Sequence, residues 1–531
     1  MILLPALERV LNELNTRFGR VLEKAWAPRL NELYLEVPVT AVAALCGFFY
    51  RHSHGRLAHV FAEDRRTVEG RFRVSYGFVL DQAGGIVTVQ TTVDPAHPEL
   101  PALTPAVPAV NWQEREIQDL FGLTLVGHPN PRRCALHDDW PMVHPLRKDF
   151  PRQTELPPFT GERHQFRKVE GEGVFQVPVG PVHAGIIEPG HFLFSVAGEP
   201  ILYLQLRLFY THKGIEKRFE EMPVEHGVRL AEGISGDSSF AHATAFCHAI
   251  ERAVGLEAPP RARCLRTIGL ELERLYNHTA DVGAIATDVG FVVANAHALR
   301  LREGLLRLNE TLTGSRLLRG WACLGGVRSD FDAAQGQRLE HGLDDFAPQF
   351  DRLCGLIDHS TSTQDRLQGT GILTPETASD LGVVGIAGRA SGVDRDLRRD
   401  LPHAGYAGLT FTVPVYAAGD VQHRLRIRLD EIRQSLSLLR QARETLPAGP
   451  VRETLGAWPD DAMAWGYVEG WRGEIFHWVR TRPGRRLARC RIKDPSLQNW
   501  PALSEAVTGN IIPDFPVINK SFNLSYSGTD R

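Results

Sequence analysis

The chain has 531 residues, of which 43% are hydrophobic and 23% charged, with a formal net charge of -3 and a pI near 6.7. That length exceeds one ordinary core, so two or more domains are expected, and the near-neutral balance argues against a nucleic-acid binder. Seven cysteines (Cys46, Cys134, Cys247, Cys264, Cys323, Cys354 and Cys490) include no CxxC pair, which argues against a disulfide framework or zinc knuckle and fits a reducing compartment.

At the N-terminus Leu4, Leu7, Val10, Leu11 and Leu14 recur at helical spacing with charges between them. This predicts an amphipathic helix rather than a signal peptide. No apolar run of about 18 residues occurs, so no transmembrane helix is expected, and work at a membrane would need membrane-embedded partners. Leu33 to Val37 predicts a strand and Ala41 to Tyr50 a helix. Arg71 to Leu80 and Gly85 to Val93 alternate and predict two strands joined by the turn Asp81-Gln82-Ala83-Gly84. The proline-rich stretch 94–108 predicts loop, and Asn111 opens a short helix, NWQEREIQDLFGL. Residues 1–150 therefore predict an α+β domain. The polar, proline-interrupted stretch from Phe150 onward predicts a linker over 151–170.

Beyond it, 173–210 alternates like a small sheet, and helical periodicity dominates from Val228 to about Thr363, with long segments over 261–286 and 295–312. A mixed section follows from Ala464. Residues 171–531 thus predict a mainly α-helical domain with a small antiparallel β section. No GxGxxG fingerprint lies in a βαβ context, so no dinucleotide site is expected in this chain.

Four segments carry chemistry. Glu114-Arg115-Glu116 with Asp119-Leu120-Phe121-Gly122, then Gly127-His128-Pro129 and Arg132-Arg133, read on bare chemistry as solvated charges on a capped helix. In the segment Gly180 to Phe192 (GPVHAGIIEPGHF), Glu188 stands between His183 and His191, an arrangement suited to proton transfer once desolvated. His212-Lys213-Gly214-Ile215-Glu216-Lys217 reads as a charged helix start. The fourth joins Gly233-Ile234-Ser235-Gly236-Asp237-Ser238-Ser239-Phe240-Ala241-His242 with the closing 521–531 (SFNLSYSGTDR), both rich in serine.

The first segment closely resembles the signature of the C-type subunit of NADH-quinone oxidoreductase over about residues 30–150. The other three resemble the large subunit of energy-converting [NiFe]-hydrogenases of the formate hydrogenlyase type, and the related D-type subunit of complex I. Glu271-Leu272-Glu273-Arg274, Asn277-His278, Asp281 and Asp288 support the second likeness, as do Gly388-Arg389-Ala390-Ser391-Gly392-Val393, Asp396-Leu397-Arg398 and residues 431–439. Taken singly, each of these reads as a structural salt bridge; together they extend the resemblance over about 180–531. Asn277 and Asp281, four apart on a helix, share one face.

The resemblance implies a fused C/D-type chain with a [NiFe]-hydrogenase large-subunit-like second domain. The four nickel-ligand positions fall on Ser235, Ser238, Ser525 and Gly528, so all four thiolates are lost. Serine oxygen does not replace a bridging thiolate for nickel, and no nickel is expected. The His and Tyr that bracket the quinone in the D-type subunit of complex I fall on Ile187 and Gly236. Glu216 aligns with a magnesium ligand of the hydrogenases. Glu188, His183, His191 and Arg389 are the candidate proton-transfer or acceptor-cavity residues.

The resemblance further implies a [4Fe–4S] small subunit, a ferredoxin-like subunit, an integral membrane subunit and antiporter-like subunits as partners, on the cytoplasmic face of the cell membrane. This chain itself would hold no cluster, and a quinone is one acceptor to consider. Two functions stay open: a redox subunit passing electrons from a neighbouring cluster to a quinone or other acceptor, or a non-catalytic coupler that relays motion or protons.

Overall fold

The computed structural model describes residues 2–51, 55–151, 155–158, 166–184 and 187–531. Its N-terminal part is built on a five-stranded sheet. The strands are β1 (Lys24–Arg29), β2 (Glu32–Glu36), β3 (Arg56–Arg65), β4 (Arg71–Leu80) and β5 (Gly85–Val93), in spatial order β1-β2-β5-β4-β3. Only the β2/β5 pairing is parallel. The expected strands over 33–37, 71–80 and 85–93 are present, while β1 and β3 are additions. β3 escaped notice because its sequence RLAHVFAEDR mixes charges into a strand that is buried along its whole length. The proline-rich stretch is not wholly loop: β6 (Glu99–Pro101) pairs in parallel with β7 (Thr124–Val126).

Alternation along the strands gives the sheet two buried faces. Phe72, Val74, Tyr76, Phe78, Val87 and Val89 pack with Leu7, Leu11 and Leu14 of the predicted amphipathic helix (Pro5–Phe18) and with Leu45 and Phe49 of helix Val42–Arg51. The opposite face presents Tyr34, Ala58, Phe61, Val79 and Ile86 to the second part of the chain.

The 151–170 linker lies partly outside the described residues; its described portions, 155–158 and 166–170, carry no helix or strand. A three-stranded antiparallel sheet follows, of β8 (Val174–Val179), β9 (His191–Ala197) and β10 (Ile201–Arg207). The helical body contains helices Ser239–Ala253, Pro260–Asp288, Val292–Thr313, Ala333–Asp358 and Val421–Glu444 around one large apolar core. The short pair β11 (Ala322–Cys323) and β12 (Gly326–Val327) interrupts it. The end of the chain forms an antiparallel meander, β13 (Met463–Gly470), β14 (Gly473–Arg482) and β15 (Arg486–Lys493), and then short helices. No described helix is long and apolar enough to cross a membrane.

The meander joins the two parts. Trp465, Tyr467, Phe476 and Trp478 pack on the free face of the N-terminal sheet. The indole N–H of Trp465 donates to Thr88 at 3.0 Å, and that of Trp478 donates to the Tyr34 hydroxyl at 3.0 Å. Gly77 gives Trp465 its place: a Cβ there would lie 2.6 Å from Cζ2 of the indole. Gly77→Ala is therefore expected to cost about 1–3 kcal/mol through overpacking. A denaturant titration checks this, and an unchanged midpoint would mean that the joint is looser than described.

Helix Asn111–Phe121 corrects the reading of its charges as solvated. Glu114, Glu116 and Asp119 are buried. Glu114 accepts from Leu103 N at 2.7 Å, Thr104 N at 3.1 Å and the Thr104 hydroxyl at 2.6 Å. Asp119 accepts from Cys134 N and Ala135 N at 2.8 and 2.7 Å. Arg115 donates to the Arg132 carbonyl at 2.7 Å. These three pin the surrounding loops. Glu116 reaches across the joint to Arg491 and Arg531, as Gln113 of the same helix does to Gln498.

Candidate functional site

The serine-rich turns meet the loops of the second sheet in one polar cluster. Ser235 donates to Asp237 at 2.7 Å and its Oγ lies 2.8 Å from Ser525 Oγ. Ser525 caps the last short helix by accepting from Gly528 N at 2.8 Å, and its own N–H donates to Ser496 at 2.9 Å. Three of the four predicted positions are thus joined by hydrogen bonds, and Ser238 lies beside Asp237 and Arg472 at 3.4 Å from each.

Arg472, which the sequence reading passed over, is the cation of this cluster. It sits in the tight β13–β14 turn between Gly470 and Gly473. It forms a two-pronged salt bridge with Asp237, donates to the Asn523 carbonyl, and stacks 3.9 Å above the Trp471 ring. Burial alone would raise the Asp237 carboxyl, but Arg472 outweighs it and holds it low. The available signal was an arginine fixed between two glycines of a hairpin, EGWRGE. Asn277 and Asp281, expected on one helical face, both serve this cluster. Asn277 donates to the Asp237 carbonyl at 2.7 Å, and Asp281 accepts from the Asn523 amide at 2.6 Å. Glu273 accepts from Phe240 N and Ala241 N at the start of helix Ser239–Ala253. Burial pushes its carboxyl up to about 8.

Glu188 joins the cluster from the loop before β9: its carboxylate accepts from Ser527 N at 2.9 Å. Lys213 Nζ donates to the Gly233 and Ile234 carbonyls at 2.9 Å each and to Ser527. The two histidines flanking Glu188 point elsewhere. His183 bonds the Gly190 carbonyl at 2.7 Å, and the His191 ring meets Phe166 edge-on at 5.2 Å, its buried Nε2 without a partner among the described residues. Gly185 and Ile186 of this motif lie outside the described residues. Ile187 is exposed, and Gly236 contributes only its carbonyl, to Ser239 and Arg319.

Arg389 belongs to a different cluster, so its assignment to the cavity is corrected. Fully buried, it bonds Glu431 at 2.5 Å and Glu469 at 3.0 Å. These bonds hold it inside an ion network of the helical body. Arg274 bonds Glu431 at 2.8 Å, His278 bonds Glu431 at 2.9 Å, and Arg398 bonds Asp396 at 2.7 Å and Glu271 at 3.2 Å. The expectation that these motifs are structural salt bridges matches this geometry.

Neither metal position fits its ion. The nickel position offers three hydroxyls and no thiolate. Its fourth corner is closed as well: a Cβ on Gly528 would lie 2.6 Å from Asp494 Oδ2. Asp494 is itself fixed by Ser496 N at 2.8 Å and by His242 at 3.1 Å. At the magnesium position, Glu216 accepts from Arg489 and Arg491 at 2.9 Å each and from Ile492 N at 3.2 Å. Burial would raise this carboxyl, but Arg491, Arg489 and Arg531 hold it down at about 2. Guanidinium groups fill the space around Glu216 with positive charge, which opposes a divalent cation.

Comparison with known proteins agrees with this architecture. The family described as the 30 Kd subunit of respiratory-chain NADH dehydrogenase matches residues 35–155, and that of its 49 Kd subunit matches residues 288–464 and 454–531. Formate hydrogenlyase subunit 5 of Escherichia coli (strain K12) is 35% identical, over 99% of this chain and 93% of its own. Hydrogenase-4 component G of the same organism is 34% identical, over 99% and 92%. A C/D-type NADH-quinone oxidoreductase subunit of Bacteroides thetaiotaomicron is 28% identical, over 84% and 88%.

Proposed function

Because the chain belongs to the family of fused 30/49 Kd-type subunits that includes formate hydrogenlyase subunit 5 and the C/D-type subunits of NADH-quinone oxidoreductase, we propose that it is a core subunit of a membrane-bound oxidoreductase of that kind. In this reading it sits peripherally on the cytoplasmic face of the membrane. It meets a [4Fe–4S] small subunit, a ferredoxin-like subunit, an integral membrane subunit and antiporter-like subunits. Electrons from the partner's cluster pass toward a quinone or other acceptor, and that transfer is coupled to ion movement. The match across nearly the whole of both chains carries this reading.

The chemistry of the old metal position is proton handling without nickel. Ser235, Ser525 and Asp237 form a hydrogen-bonded chain closed by Arg472, and Glu188 stands beside it, accepting from Ser527 N two residues beyond Ser525. The second reading, a coupler without chemistry of its own, is favoured by one observation: the Ser235, Asp237, Arg472 and Ser525 side chains close directly on one another.

Purification of the complex from its source decides between these. Cluster-bearing and membrane subunits are expected to co-purify, with nickel far below one atom per chain and no hydrogen evolution. Stoichiometric nickel would overturn the reading of the lost thiolates, and a chain isolated alone from membranes and supernatant would overturn the subunit assignment. Quinone reduction lost in Glu188→Gln supports the redox role; an unchanged rate returns Glu188 to structure. Restoring Ser235→Cys, Ser238→Cys, Ser525→Cys and Gly528→Cys together is expected to leave nickel unbound until Asp494 is shortened to alanine. Metal analysis of the two variants checks this.

A further inference from the structure

The ion network around Arg389 is unbalanced. It contains four carboxylates (Glu271, Asp396, Glu431 and Glu469) and three guanidiniums (Arg274, Arg389 and Arg398), each at most 1% exposed. The neighbouring Arg428 is already matched by Asp281 at 2.8 Å and adds no net charge. An uncompensated negative charge in such a place is expensive, so a proton is the natural remedy.

The geometry says where that proton belongs. His278 is an unsuitable holder: its Nε2 bonds Glu431, and its Nδ1 is buried with no partner among the described residues, which suits a bare acceptor and not a second N–H. Tyr406 donates to Glu271 at 2.6 Å, the Ser435 hydroxyl donates to it at 2.5 Å, and Arg398 adds to them, so Glu271 is satisfied as an anion. Glu431 gathers Arg274, Arg389 and His278. Asp396 takes both prongs of Arg398 and the Arg398 backbone N–H at 2.9 Å.

Glu469 is the least supported of the four. It accepts from one guanidinium nitrogen, Arg389 Nη1, at 3.0 Å, and from Leu397 N at 3.1 Å. The same Nη1 lies 3.7 Å from Asp396, so two carboxyls converge on one donor. Burial, and then Asp396, push the Glu469 carboxyl up, while Arg398 and Arg389 outweigh burial at Asp396 and hold it down. His403, the remaining titratable neighbour, takes the Glu469 backbone N–H at 3.2 Å and is kept neutral by burial.

We propose that Glu469, facing Asp396 across Arg389, is a buried proton-loading site of this subunit. Its place in the chain gives the proton a consequence. Glu469 is the last residue but one of β13, three residues before Arg472, so a change of charge at one end of the turn bears on the Arg472–Asp237 salt bridge at the other. The Trp471 ring between them lies 5.9 Å from that of His278, on the same network. That the loaded proton serves ion movement rests on the function proposed above; that Glu469 holds it does not.

The test is infrared difference spectroscopy on the full chain at neutral pH. Wild type minus Glu469→Gln is expected to show the loss of one protonated carboxyl. Asp396→Asn, which removes the repulsion, is expected to ionise Glu469 and lose the same band. The unfolding midpoint of Glu469→Gln, the neutral isostere, is expected to stay near wild type. Bands that persist in both variants, or a Glu469→Gln midpoint as low as that of Glu431→Gln, would overturn the assignment. In the assembled complex, Glu469→Gln is expected to lower ions moved per electron with electron flow retained. An unchanged ratio with the band lost would leave the proton in place and sink only its transport role.

Discussion

Glu431→Gln is expected to destabilise the protein by about 3–5 kcal/mol, the typical cost of removing one partner from a buried ion cluster. Glu431 binds Arg389, Arg274 and His278 at once; without its charge Arg389 keeps Glu469 at 3.0 Å, but Arg274 is left with Glu271 at 3.5 Å and His278 loses its carboxylate. Its three partners come from two other elements, helix Pro260–Asp288 and the short helix Gly385–Ala390, so with its own helix Val421–Glu444 it ties three together. Loss of the charge should therefore open the helical body as a unit. Guanidinium chloride titration with a helix signal measures it, and a change under about 1 kcal/mol would show that the cluster relaxes far more freely than its packing implies.

Lys493→Met is expected to act in the opposite direction. Lys493 is fully buried at the joint of the two parts; its ammonium donates to the Leu57 carbonyl at 3.1 Å and lies 5.6 Å from the Phe476 ring, with no carboxylate of the described residues bonded to it. Burial, with Arg56 nearby, lowers its pKa from 10.5 to about 7. Between those values the unfolded chain holds a proton that the folded chain does not, so stability rises with pH through this window. Below about pH 7 both states hold it and the penalty is at full size. Methionine fills the same space uncharged. After loss of the Leu57 hydrogen bond, a gain of about 2–4 kcal/mol is expected at pH 7, narrowing by about 1.4 kcal/mol for each pH unit toward 9. Denaturation midpoints of both proteins at pH 7 and 9 check the sign and the slope. A variant less stable than wild type at both pH values would mean that Lys493 is charged and well paired.

How much of this was legible depended on the physical origin of each signal. Periodicity exposed the N-terminal helix, the long helices and the β4–β5 hairpin, because one chemistry repeats along each. β3 was hidden because Glu63 and Asp64 break its apolar pattern, and the reason they can be buried lies far away in sequence: Arg480 pairs with Glu63 at 2.7 Å. The same distance effect concealed the fates of Glu116, Glu216 and Arg389, whose partners are 42 to hundreds of residues distant. The site was legible where a motif marked it, at Ser235, Ser525 and Glu188. It was illegible at Arg472 and Asp494, single residues whose meaning comes from a turn and from the bare face of Gly528.

The aromatic seam between Trp465, Trp478, Phe61 and Val79 has a consequence for how the chain is held together. Along with the Glu63–Arg480, Glu116–Arg491 and Arg56–Glu474 pairs, it spans the joint with side chains of both parts. Side chains thus hold the joint, and local concentration is added to it by the peptide connection. A protease that nicked it would leave two fragments still clasped, and a cell could make them from separate messages and obtain the same body.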